Sequence, residues 1–231
     1  SEGTNFTGSL LVGHSTTGTI DNAFYNTALG IGALDALTNA DYNVAIGYNA
    51  GTVLTSGGSN TLIGSLAGDA LTTGGDNVAV GSNALTTEDT GTRNTAIGRG
   101  SLQNLNYDGA GYNVAVGYEA GNDITTGTQN TLVGALAGSS LTTGEKNTAI
   151  GKSALLTEDT GDRNVAVGWG ALQTLNYNGS GYNVAVGYDS GVNLSTGIHN
   201  TLIGSLAGDA LTTGTENVVV GYAALSSEDA N

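Results

Sequence analysis

The stretch NTLIGSLAGDALTTG occupies Asn60–Gly74 and returns unchanged at Asn200–Gly214. Its first five letters are one instance of a shorter pattern, Asn-x-apolar-aliphatic-Gly. NTALG begins at Asn26, NVAIG at Asn43, NTLIG at Asn60, NVAVG at Asn77 and NTAIG at Asn94. The pattern continues at Asn113, Asn130, Asn147, Asn164, Asn183, Asn200 and Asn217, and SLLVG at Ser9 is a degenerate first copy. The step from copy to copy is constant, as from Asn26 to Asn43, except after Asn94 and Asn164, where two extra residues are inserted. Three regular units and one lengthened unit make a super-repeat, and Asn43, Asn113 and Asn183 open its successive copies. The two identical stretches hold the same place in the first and third of these copies.

A 17-residue unit is too short for two packed helices, and every complete copy carries Gly and Thr. A short β-branched run followed by Gly, Asn and Thr turns predicts an all-β parallel β-solenoid, one coil per unit. Residues 1–8 form a lead-in and 9–231 a single solenoid domain of thirteen coils. With strands about 4.8 Å apart, that domain is about 60 Å long.

NVAIGYNAGTVLTSGGS, residues 43–59, represents one coil. Its fourth position is aliphatic in all copies, from Val12 through Ile46 to Val220. This reads as a core stripe, with the second position on the same side of the strand. The third position (Ala, Leu or Val) points the other way. A strand apolar on both sides is usually covered on both. This predicts a partner chain against the third position, with Leu62, Leu132 and Leu202 as trimer-interface candidates. The fifth position is an invariant Gly, which suits a corner with positive φ or a close backbone approach. The first-position Asn suits a turn and can stack into an amide ladder along the coils. A second core contact is expected at position twelve, as Leu54, Leu71 and Ile124, and Glu88, Glu158 and Glu228 replace it in every fourth coil.

Composition limits the functions open to such a chain. Its 231 residues carry 5 Lys plus Arg against 20 Asp plus Glu, a net charge of −15. That surface repels nucleic-acid phosphates and anionic membranes. Without Cys there is no disulfide framework or thiolate metal site. No apolar run approaches the length of a membrane span. The N-terminus lacks a signal-peptide pattern. The absence of Met, even at position 1, reads as a processed or excised piece.

The N-x-A-I-G core resembles the repeat of trimeric autotransporter adhesin heads. NTLIGSLAGDALTTG, NVAIGYNAG and SLLVGHSTTGTIDNAFYNTALGIGALDAL more closely resemble repeats of phage virion and tail-fibre proteins. The resemblance implies a left-handed parallel β-roll that trimerises. The adhesin-head repeat is shorter than the unit here, and no adhesin neck, coiled-coil stalk or membrane anchor is present.

Few residues suggest chemistry. The pairs Glu88-Asp89, Glu158-Asp159 and Glu228-Asp229 recur once per super-repeat. They read as solvated turns or as weak calcium sites built from carboxylates and carbonyls. Thr-rich turns such as LTTG suggest either tight corners or an ice-binding array. Tyr107, Tyr112, Tyr177 and Tyr182, in or beside the two-residue insertions, are candidate contacts for a glycan or receptor. His14 and His199 lie far apart, and Arg93 and Arg163 read as partners of nearby carboxylates. No nucleophile triad, phosphate loop or zinc spacing occurs, so no enzyme or cofactor is expected. The last coil, residues 217–231, stops two short of its unit without a polar cap, which predicts a longer fibre or end-to-end stacking. The expected function is a non-enzymatic, extracellular or virion fibre segment, homotrimeric, with any adhesive contacts on its turns. The alternatives are an ice-binding solenoid and a self-assembling filament subunit.

Overall fold

The computed structural model describes residues 8–13 and 22–226. Each coil contributes one three-residue strand. In chain order these are β1 (Leu10–Val12), β2 (Thr27–Leu29), β3 (Val44–Ile46), β4 (Thr61–Ile63), β5 (Val78–Val80), β6 (Thr95–Ile97), β7 (Val114–Val116), β8 (Thr131–Val133), β9 (Thr148–Ile150), β10 (Val165–Val167), β11 (Val184–Val186), β12 (Thr201–Ile203) and β13 (Val218–Val220). The chain divides into two compact units, Ser1–Asn113 and Val114–Asn231. In the first, β1–β6 pair in chain order, each parallel to the next. In the second, β7–β13 do the same. The register keeps equal positions together: Val44, Ala45 and Ile46 face Thr61, Leu62 and Ile63. Each unit is therefore a parallel β-solenoid, the fold expected from the period, and no helix occurs among the described residues.

Bonds between coils extend beyond the strands into the corners. Thr27 N donates to Asn43 O at 2.8 Å, Gly47 N to Leu29 O at 2.9 Å, Asn49 N to Ile31 O at 2.9 Å and Thr55 N to Thr72 O at 2.9 Å. A chain whose amides are used all around the circuit has little room for proline, which lacks the donor; the sequence contains none.

The first-position asparagines are buried and bonded in series. In the first unit Asn43 N and Nδ2 donate to Asn26 Oδ1 at 2.9 and 3.1 Å, and Asn60 repeats this on Asn43 at 2.9 and 3.0 Å. In the second unit, Asn200 and Asn217 continue the pattern on Asn183 and Asn200. Nδ2 also reaches across the coil to a glycine carbonyl, as Asn60 to Gly74 O at 2.9 Å and Asn147 to Gly161 O at 2.8 Å. One side chain thus ties its own coil shut and binds the next coil.

The two faces of the strand are the reverse of the sequence expectation. The third position points inward: Ala45, Leu62, Ala79, Leu132 and Leu202 have no exposed surface within a single chain. The fourth position points outward, with Ile46 at 36%, Ile150 at 39% and Ile203 at 42% exposure. Leu62, Leu132 and Leu202 are therefore core residues and cannot meet a partner chain. The reason is volume. The short coil encloses a narrow interior, which accepts Ala at most third positions and excludes a continuous ladder of Ile and Val. Small eighth-position residues (Ala50, Ala67, Ser101) and the expected Leu54, Leu71 and Ile124 complete the core.

Leucines alternate between two backbone sites in this core. The ninth position is Leu in some coils (Leu34, Leu85, Leu155) and Gly in others (Gly51, Gly68, Gly138), always at φ between 47° and 63°. A Cβ on Gly68 would meet Leu62 Cδ2 at 2.8 Å, and one on Gly51 would meet Leu62 Cδ1 at 2.6 Å and Leu34 Cδ2 at 3.2 Å. Leu62 thus fills space that ninth-position leucines fill elsewhere. Close packing of this kind demands such size complementarity. The fifth-position glycine meets a stricter limit: Gly47, at φ 138°, would place a Cβ 2.3 Å from Gly64 O.

Two measurements check this account. Asn147→Ala strands Gly161 O and the Asn164 amide, which donates to Asn147 Oδ1 at 3.0 Å. With each buried unpaired group costing about 1–3 kcal/mol, chemical denaturation should show a loss of roughly 2–6 kcal/mol, and the outward Thr148→Ala far less. Leu62→Ala should cost about 2–5 kcal/mol, and adding Gly51→Leu, whose closest obstacle is Leu62 itself, should recover part of it by refilling the same space.

Candidate functional site

The first hydroxyl of each Thr-rich turn is tied into the fold. Thr38, Thr55 and Thr72 Oγ1 donate to the carbonyls of Thr55, Thr72 and Asp89 in the next coil at 2.9, 3.0 and 3.1 Å. Thr125, Thr142 and Ser195 do the same in the second unit. These hydroxyls bond along the coil stack, while the next residue of the turn, Thr73, Thr126, Thr143, Thr196 or Thr213, is exposed.

In the two acidic pairs among the described residues, the glutamates are buried rather than solvated. Glu88 and Glu158 have no exposed surface. Glu88 Oε1 accepts from Gly91 N at 2.7 Å, and Oε2 accepts from Tyr107 N at 3.2 Å. Glu158 repeats this with Gly161 N at 2.8 Å and Tyr177 N at 3.3 Å. Tyr107 and Tyr177 sit in the turns that carry the two-residue insertions. Each glutamate thus clasps the widened turn of the following coil, which explains why Glu and insertion recur together. Each carboxylate oxygen of these two glutamates already accepts an amide hydrogen. Asp159 Oδ1 accepts from Thr160 N at 2.6 Å, while Asp89 Oδ1 is buried without a partner. Glu228 and Asp229 lie outside the described residues. Among those residues no group of three or more His, Asp or Glu could hold a metal.

The aromatic candidates separate into different corners. Tyr107 and Tyr177 stay in the widened turns. Tyr112 and Tyr182 occupy the corner just before the strand, at φ 51° and 50°. Arg93 lies 5.7 Å over the Tyr112 ring, and Arg163 5.7 Å over that of Tyr182. His199 stacks on Tyr182 as well, with centroids 5.6 Å apart; His14 lies outside the described residues. The expected carboxylate partners are present, as Arg93 Nε lies 3.8 Å from Asp76 and Arg163 Nη1 3.5 Å from Asp162. Such exposed pairs contribute little stability.

Two further features arise where coils stack: one among the aromatics that follow the fifth-position glycine, whose sequence reading is contact with a sugar or receptor, and one on the strand face. Trp169 and Tyr188, in the corner just after the fifth-position glycine, stack with centroids 5.2 Å apart and planes 10° from parallel. Their signal was the same coil position in consecutive coils. The second feature is the outward strand face. Its second positions are Thr or Val throughout β2–β13, and its fourth positions are Ile or Val from β3 onward. No charged side chain interrupts these two ladders.

Burial raises the Glu88 and Glu158 carboxyls above their ordinary value of 4.5, outweighing the amide hydrogen bonds that lower them. A raised folded-state value means the folded chain holds the proton more tightly than the unfolded chain. This contribution therefore favours folding at low pH and is lost as pH rises from 4.5 through the raised value. Unfolding free energies of Glu158→Gln and the parent, compared across that window, should diverge with the parent falling more steeply.

Protein-family models, characterised proteins and solved structures yield no match to this chain.

Proposed function

We propose that the chain is a non-enzymatic structural segment of an extracellular or virion fibre, and that it self-associates as a homotrimer through its outward strand face. The observation that carries this reading is the pair of ladders at the second and fourth positions. They form an uncharged β-branched surface on a chain of net charge −15. Sustained apolar strips of this kind favour burial against another surface. Three such faces meeting at an axis would cover them and leave the acidic corners in water. The repeated coil-to-coil bonds suit a mechanical spacer, because load passes through the same ladder in each coil. The resemblance to adhesin heads and tail-fibre repeats points the same way. Tyr107 and Tyr177, held by buried glutamates, suit fixed presentation to a receptor or glycan.

Ice binding is a second reading, favoured by the exposed second threonines of the turns and by threonines on the same strand face. Thr27, Thr61 and Thr95 alternate with Val44 and Val78 in one unit, two coil rises or about 9.6 Å apart, while in the other Thr131 and Thr148 are adjacent and Thr201 follows three strands later. Together with the intervening valines they line the face with methyl groups. Thermal hysteresis from a single-chain species would favour this reading over the fibre.

Light scattering behind size exclusion tests the trimer. The expected assembly has three times the chain mass of 22.8 kDa. Ile150→Asp combined with Ile203→Asp should give folded single chains. Leu132→Asp should instead unfold the coil, because its site lies inside. A double variant that keeps the parent's mass would place the interface elsewhere.

A further inference from the structure

We propose that the corner column Tyr188–Ser205–Tyr222 is a binding slot for one uncharged pyranose ring. Trp169, Tyr188, Ser205 and Tyr222 each follow the fifth-position glycine in consecutive coils. Backbone bonds hold these corners in register: Asp189 N donates to Trp169 O at 2.8 Å, Leu206 N to Tyr188 O at 2.8 Å and Ala223 N to Ser205 O at 2.9 Å. Trp169 covers one face of Tyr188. On the other side the column holds Ser205, too short to cover a ring, and the next rung is Tyr222. Tyr188 is 51% and Tyr222 80% exposed. The stack is a ladder of rings with one rung missing.

The spacing selects the occupant. Two coil rises separate the Tyr188 and Tyr222 corners, about 9.6 Å. A flat aromatic ring touching both neighbours at about 3.5–4.0 Å spans less than this and leaves a gap. A puckered sugar ring, with C–H groups on both faces, is thicker and fills it. The Ser205 hydroxyl at the floor of the slot is a polar group suited to a sugar hydroxyl. The net charge of −15 disfavours sialic and uronic acids. No other described corner places two rings on either side of one small residue: Tyr48 is followed by Ser65 and Ser82, and Tyr118 by Ala135 and Lys152. The slot needs one chain only, so it stands apart from the trimer.

Saturation-transfer NMR on the full chain, with the methyl pyranosides of glucose, galactose and mannose and with indole as a flat control, tests the slot. At least one pyranoside should receive saturation and should perturb the fluorescence of Trp169, the single tryptophan. Ser205→Tyr inserts a ring that other coils carry at this corner. It should keep the parent's melting temperature and weaken sugar binding at least tenfold, and Tyr222→Ala should also weaken it. The proposal fails if no pyranoside binds, if indole alone binds, or if Ser205→Tyr binds sugar as the parent does.

Discussion

Each unit depends on hydrogen bonding from one coil to the next, and the buried asparagine is its most demanding part. A three-residue strand is too short to hold a sheet together by itself. Here the strand bonds continue into the corners, and the Asn side chain supplies contacts the backbone lacks. Its Oδ1 accepts two donors from the following Asn, while its Nδ2 reaches the glycine carbonyl of its own coil. Only a short side chain carrying both a donor and an acceptor can do this. Asp would lose the donor, and Ala would leave both groups unsatisfied in a dry interior.

Strain elsewhere is tolerated because this ladder fixes the coil path. Non-glycine residues such as Leu34, Tyr42 and Arg93 sit at φ 53°, 60° and 61°, a region costing about 1–2 kcal/mol for an ordinary side chain. The same corners recur in every coil, so side chains placed there stack into columns. Function in such a molecule is a property of columns: a change at one corner acts through the coils above and below it. Tyr182, in contact with both Arg163 and His199, is one example.

The super-repeat of four coils has its origin in the interior. Leu62 fills space over Gly51 and Gly68 that ninth-position leucines fill in other coils. Glu88 replaces a core leucine where the next coil widens, and its carboxylate takes the amide of that widened turn. One Leu-for-Ala exchange, two glycines, one glutamate and one insertion therefore form a single packing solution. Asn60–Gly74 and Asn200–Gly214 carry the same part of that solution, as do residues 130–144, which keep Leu132, Gly138 and Leu141 while differing at four other positions.

The sequence by itself determined the coil period, the all-β class, the parallel register, the Asn ladder and the glycine corner, because each follows from a residue type recurring at one fixed interval. It located the inserted turns and the residues Glu88 and Tyr107, but not the bond between them, which joins different coils. It could not decide which face of the strand was inside. Alternation separates second and fourth positions from the third, yet both sets are apolar, so hydrophobicity alone is silent. The tertiary structure decided by volume: the narrow coil admits Ala with an occasional Leu, and it leaves the β-branched ladders outside. The outward face and the Trp169–Tyr188 stack exist only once coils are placed one upon another, since their members are neighbours in space and not in sequence.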